Sequence, residues 1–206
     1  MFGFGKKKRD AMLAEHYAIN MVTLSISMKN TLVQMWNSYR HLADLEPLEE
    51  TDKELFEFFA LYNFTCCAAI QFNKLDNHSK DELNFFNGLC VRMYPDSTRM
   101  LDLPLPEDFS LQAHIARVLV LHSEFAAYGI KNPKPTIFEE LIYFFVYEMK
   151  SLSVSSETDK FCAEITPQFQ TIHRDGWDVI QNSSSFPVIE SSTLETIRSI
   201  ESRLPV

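Results

Sequence analysis

Six histidines and four cysteines are the residues best able to hold a metal, move a proton or act as a nucleophile in this chain. On a helix, two metal ligands must lie one turn apart so that their side chains converge on one face. His16, His114, His122 and His173 have no His, Asp, Glu or Cys at that spacing. His41 has Asp44, and His78 has Asp81 and Glu82, but acids near His78 open a helix and complement its dipole. No Glu-x-x-His pair occurs, so a ferritin-like di-iron bundle is not indicated, and no metal site is predicted. Cys66 and Cys67 are adjacent, point about 100° apart on a helix and are badly placed for a disulfide. Cys90 and Cys162 sit in apolar helical patterns, and no C-x-x-C exists, so buried reduced thiols are expected.

Other catalytic signatures are also missing. There is no G-x-S-x-G elbow and no G-x-G-x-x-G, and the Gly5-Lys6 pair lacks the phosphate-loop spacing. No catalytic residue is assigned.

His122 stands out by position. Leu111, Ile115, Val118, Leu119, Phe125 and Ala126 form one apolar face of a helix, with His122 near its middle and His114 towards an edge. A histidine among aliphatics is either a core residue bonded to a carbonyl or tyrosine, or a ligand or proton-transfer group lining a pocket. The first is favoured, because nothing one turn away offers a second ligand. His173, four residues before Trp177, reads as a ring stack at the core edge. His122, His114 and His173 are therefore the weak candidates for binding a cofactor such as haem.

One stripe of the first helix holds His16, Asn20, Thr23, Ser27, Asn30, Gln34, Ser38 and His41, polar and without formal charge. Solvated faces are usually rich in Lys and Glu, so this stripe, where it is not a plain exposed face, is a candidate interaction surface, groove or polar seam. Residues 1–9, Met-Phe-Gly-Phe-Gly-Lys-Lys-Lys-Arg, pair two aromatics with the cations Lys6, Lys7, Lys8 and Arg9. Such an arm can touch an anionic membrane at about 1 kcal/mol per base. The favoured alternative is a flexible solubilising tail.

The elements that position these residues follow from composition. Five glycines in 206 residues is far below the usual ~7%, and hairpin turns draw heavily on glycine. Seventeen Phe and seven Tyr supply rings for a core. The expectation is a single all-α domain over residues 10–206, a compact bundle of six to seven helices with a buried central helix.

Helix 1 spans about Asp10 to Leu45 with a possible break near Asn30, and Leu24–Met28 also alternates like a strand. Helix 2 opens at the capping box Thr51–Glu54 and runs to about Leu75. Its fifteen-residue uncharged run Phe58–Phe72 is too short for a bilayer crossing of ~20 residues and marks the central helix. Phe59, Phe56, Leu55, Cys66 and Ile70 should be inaccessible. Helix 3 opens at Ser79–Glu82 and stops before Pro95. A Pro-rich link, Leu103-Pro-Leu-Pro106, leads into helix 4, which runs from about Glu107 to Tyr128, with Gly129 in the terminating position. Helix 5 follows the box Thr136–Glu139 to about Leu152. Helix 6 begins after Ser155-Ser156 and bends or restarts at Thr166-Pro167. A short last helix starts at the box Ser192–Glu195.

No signal peptide is read at the start, which favours a cytoplasmic protein. Net charge is −9, and without residues 1–9 it is −13, with 28 acids against 15 bases. An acidic body repels phosphate backbones, so nucleic acid is an unfavourable partner. The sequence therefore points to a non-enzymatic protein acting through contact with a protein partner or its own copy, in an adaptor, regulatory or neutralising role. The alternative is a helical protein or enzyme that holds haem or an apolar ligand in an aromatic-lined pocket.

Overall fold

Every regular element among the described residues is a helix, as the scarcity of glycine led us to expect. The computed structural model describes residues 18–19, 22–23, 25–26, 29–74, 88–102 and 104–182, with backbone alone at 63–64, 66–74, 100 and 172–182. Residues 18–19, 22–23 and 25–26 are helical and lead towards α1 (residues 29–39). The α-helix does not reach Leu45. It tightens into a 3-10 turn at Arg40–Leu42, and Asp44 then takes a positive φ of 51°.

Two side chains of α1, Trp36 and Asn37, and Arg40 of the 3-10 turn fold the next loop back onto the helix. Trp36 Nε1 donates to the Glu46 carbonyl at 2.8 Å, and Arg40 Nη1 donates to the Leu45 carbonyl at 2.8 Å. Asn37 pairs with the Leu48 backbone twice, donating at 3.1 Å and accepting at 2.9 Å. Leu45 and Leu48 are thereby pressed into the core.

Helix α2 (Lys53–Lys74) begins one residue later than its capping box suggests. The cap is Asp52, not Thr51: its Oδ1 accepts the Glu54 and Leu55 N–H groups at 3.1 and 3.2 Å. Carboxylates favour this place because they meet orphan amides at the positive end of the helix dipole. Leu55 and Phe59 are buried as expected, whereas Phe56 is only half-buried; Cys66 and Ile70 have side chains outside the described set. Residues 75–87 lie outside the described set; residues 88–92 are helical (α3) and are followed by the short helix α4 (Tyr94–Met100). Pro95 ends the first and starts the second, since a proline in the first helical turn loses no bond.

Helix α5 (Leu111–Lys131) starts at a Ser110 cap whose Oγ accepts the Ala113 N–H at 3.3 Å, so Glu107 and Asp108 stay in the preceding turn. It also runs past Gly129, which is an interior helical residue and not a left-handed terminus. Space is the reason for the glycine: a Cβ there would stand 2.9 Å from Glu140 Oε2. The left-handed positions among the described residues are filled instead by Asp44, Asp102 and Ser151.

Helix α6 (Ile137–Phe144) has the expected cap, with Thr136 Oγ1 accepting the Glu139 N–H at 3.2 Å. Its continuation Phe145–Met149 widens into a π-turn, closed by the Lys150 N–H on the Phe145 carbonyl at 2.8 Å. Helix α7 (Ser156–Asn182) passes through Pro167 without restarting. Its first turn is held by Ser155 and Thr158, whose hydroxyls each accept the other's backbone N–H, at 3.2 and 2.9 Å. The expected helices at Ser79 and Ser192 lie outside the described residues.

One aromatic core joins α1, α2, α5, α6, the π-turn and α7. Trp36 meets Phe145 and Phe161 edge-on at 5.8 and 4.7 Å. Phe58 lies 4.7 Å from Phe145, and Tyr62 lies 5.2 Å from Phe169. Such pairs add about 0.5–1.5 kcal/mol each beyond the area they bury.

Candidate functional site

The feature best suited to a ligand is a groove of about 1330 Å³. Its walls are the first two turns of α2, residues 104–110 and one face of α5. Its floor carries Phe56, Leu121, Tyr128, Phe144 and Met149. The link is shaped by a turn in which the Phe109 N–H donates to the Pro106 carbonyl at 3.0 Å, directing Phe109 to the groove wall.

The π-turn shapes the other wall. An extra residue per turn shifts the register of the residues after it, and Glu148 and Met149 both border the groove. Lys150 anchors the turn through Nζ, 2.7 Å from Asp52 Oδ2 and 3.9 Å from Glu54 Oε2. Burial alone would raise the Asp52 carboxyl. The hydrogen bond from Lys150 and the capped Leu55 amide outweigh it and hold the group below the usual carboxylate range. Ser151, at a φ of 52°, then turns the chain away.

At the other end sits His114. Its ring stacks on Tyr94 at 4.6 Å and packs against Phe109 and Phe56 at 5.4 and 6.4 Å. Phe56 in turn meets Tyr94 edge-on at 5.0 Å. Nε2 is buried without a hydrogen-bond partner, and burial among neutral rings pushes the imidazole down to about 4. His114 is therefore neutral at physiological pH. Nε2 is closed to solvent even though His114 borders the groove.

Arg117 spans the middle. Its guanidinium stands 3.3 Å from Glu57 of α2 and 3.7 Å from Glu124 of α5. The groove is thus apolar below and charged of both signs above.

A second polar cluster lies behind α6. Tyr147 donates to Asp159 Oδ1 at 2.6 Å, and Tyr143 donates to the Asp159 carbonyl at 3.4 Å. Lys134 Nζ sits 3.6 Å from the centre of the Tyr143 ring. Burial and the Asp159 charge push the Cys162 thiol up to about 12, which leaves it an unreactive core residue. Cys90 is likewise buried and forms no disulfide.

The residues singled out by sequence are scattered relative to the groove. His122 is half-buried on α5 outside the groove, and burial lowers its imidazole. The apolar face of α5 is turned from that expected: Val118, Leu121, Phe125 and Tyr128 are buried, while Leu119 is 55% exposed and Ala126 is exposed. The side chain of His173 lies outside the described set, although its backbone belongs to α7. Of the uncharged stripe, Asn30, Gln34, Ser38 and His41 are exposed, Thr23 is half-buried with an unpartnered Oγ1, and His16, Asn20 and Ser27 lie outside the described residues. Lys6, Lys7, Lys8 and Arg9 lie outside them too.

Sequence reasoning missed Phe56, Phe109, Arg117 and the Asp52–Lys150 pair. The Pro104-Leu-Pro106 link was a signal that a fixed segment lay there, but not of what it faced. Among the described residues there is no cluster of three metal-ligating side chains, and no helix long and apolar enough to cross a membrane. No family model, curated protein or solved structure matches this chain.

Proposed function

We propose that this protein is a non-enzymatic recognition module that receives an apolar segment of a protein partner in the groove between α2 and α5. The observation that supports this reading most is the shape and lining of that groove. Drug-sized ligands occupy pockets of roughly 300–1,000 Å³, and this one offers about 1330 Å³ along an open channel. A floor of Phe56, Leu121, Tyr128, Phe144 and Met149 under a rim of charges matches how an amphipathic helix or extended peptide is held. Apolar burial would supply affinity, and the rim would set register and exclude wrong partners.

The π-turn and the left-handed Ser151 support the same reading. Such irregular backbone is retained where it shapes a working surface.

Selection of random peptides displayed on phage tests it without choosing a partner in advance. Selected peptides should bind with micromolar or better dissociation constants. Ala127→Arg, which places a long cation in the groove from an exposed position, should weaken them at least tenfold. Ile130→Lys, on the outer face of α5, should not change binding. Failure to select any peptide sensitive to Ala127→Arg would remove this reading.

A further inference from the structure

We propose that the groove has a resident occupant, the chain's own segment Phe2–Arg9, folded back in cis; this rests on the groove being a recognition surface. Three observations converge on it: what the segment carries, what the groove offers and where the chain enters.

The segment reads Phe-Gly-Phe-Gly-Lys-Lys-Lys-Arg. Residues two apart in an extended chain point the same way, so Phe2 and Phe4 can enter the floor together. Gly3 and Gly5 let the backbone approach the walls closely. Four consecutive cations come after the rings.

The groove supplies the complement. Its lining holds six acids, Glu50, Glu54, Glu57, Asp108, Glu124 and Glu148, against four bases. Of these bases Arg117 is already engaged by Glu57 and Glu124 and Lys29 feels the charge of Glu50, while Lys150, just outside the lining, is held by Asp52 and Glu54. Glu50, Asp108 and Glu148 stand on the rim. The rings therefore have an apolar floor, and the cations beyond them have carboxylates at its edge.

The third observation is the point of entry. The Ile19 carbonyl accepts a hydrogen bond from Ser97 Oγ of α4 at 3.2 Å. One turn before Ser97, Tyr94 stacks on His114, which borders the groove. The chain thus passes within a helical turn of the groove's aromatic end. Ile19 follows Phe4 by fifteen Cα–Cα steps, which can span up to roughly 50 Å, so reach does not limit contact. A short tether of this kind presents its end at an effective concentration on the order of millimolar. An external segment must displace the arm before it binds, which makes the arm a competitor for the partner.

Zero-length carbodiimide cross-linking of the full chain tests the proposal, because it joins Lys side chains to carboxylates in contact. An equal mixture of ¹⁴N and ¹⁵N chains separates links within one chain from links between chains. Lys6, Lys7 or Lys8 should be joined to Glu50, Asp108 or Glu148 within one chain. The double change Phe2→Ala and Phe4→Ala should lower that yield at least fivefold, and Ala127→Arg should do the same with the helical spectrum unchanged. No such link, equal yields on Glu157 and Glu164 of α7, yields insensitive to the two phenylalanines, or predominantly mixed-isotope links would each overturn it. Peptide selection with the groove intact would survive that outcome. Conversely, arm links without any selectable peptide would remove the partner while leaving the arm in place.

Discussion

His114 shows how one side chain can tie the groove to pH. Its pKa falls from 6.5 to about 4 in the folded protein, because Tyr94, Phe109 and Phe56 surround it and none can balance a charge. The unfolded chain takes up a proton near pH 6.5 and the folded chain does not. Stability from this residue is therefore fully present above pH 6.5, falls as pH drops through that value and is lost by about pH 4. The total is up to roughly 3 kcal/mol. Urea unfolding at pH 7.5, 6.0 and 5.0 should show that decline, and His114→Phe should flatten most of it. An identical pH slope in both proteins would mean that the ring is solvated. Phe59, 1% exposed on the core side of α2, gives the control for ordinary packing. Phe59→Ala should cost about 3–5 kcal/mol with no special dependence on pH.

Between elements, the tightest link to the groove is Asp52 with Lys150, which ties the start of α2 to the end of the π-turn. Asp52 has two tasks, capping two amides and meeting an ammonium. Asp52→Asn keeps the capping oxygen and loses the ion pair, so it should cost less than about 1 kcal/mol. Asp52→Ala loses both and should cost about 2 kcal/mol. Its carboxyl is held low, so this contribution is present above the ordinary carboxylate range and disappears as pH falls through the folded value. Thermal denaturation of the two variants gives the ranking; equal losses would mean that the cap contributes nothing. Ser151, at a φ of 52°, comes directly after the π-turn and Lys150. Ser151→Gly should raise stability by up to about 1 kcal/mol, and a loss would show that its side chain is needed there.

At the level of the whole molecule, α5 has three faces. Val118, Leu121, Phe125 and Tyr128 enter the core, Ala113, Arg117 and Glu124 border the groove, and Leu119, Val120 and Ile130 look outward at 55, 48 and 84% exposure. Leu119→Lys and Ile130→Lys should each change the unfolding free energy by no more than about 0.5 kcal/mol, the ordinary range for surface positions. A loss above about 2 kcal/mol at either would mean that this face is covered. Circular dichroism should be dominated by helix, with strand well below the ~20–25% of an average globular protein.

The chain's composition and local patterns were enough to set the class of fold. A chain with five glycines and repeated capping residues makes helices, because capping and helical turns depend on neighbours in sequence. The cap at Thr136 was legible for that reason, and so was the proline-rich link before α5. The groove was not. Phe56 of α2, Phe109 of the link and the pair His114 and Arg117 of α5 lie on three separate segments, and nothing in the local spacing of those segments says that they meet. Periodicity gave α5 an apolar face but could not say which neighbours would cover it, so His122 was expected within a face that Leu121 and Tyr128 fill instead, beside Val118 and Phe125. Gly129 read as a helix end, although its small size is demanded by Glu140 from the next helix. The π-turn and the chain's passage through Pro167 were settled in the same way, by packing between elements. Sequence determined what is local, the helices and some of their caps. Tertiary structure decided which faces turn inward, because that choice minimises exposed apolar surface for the assembly and not for any single helix.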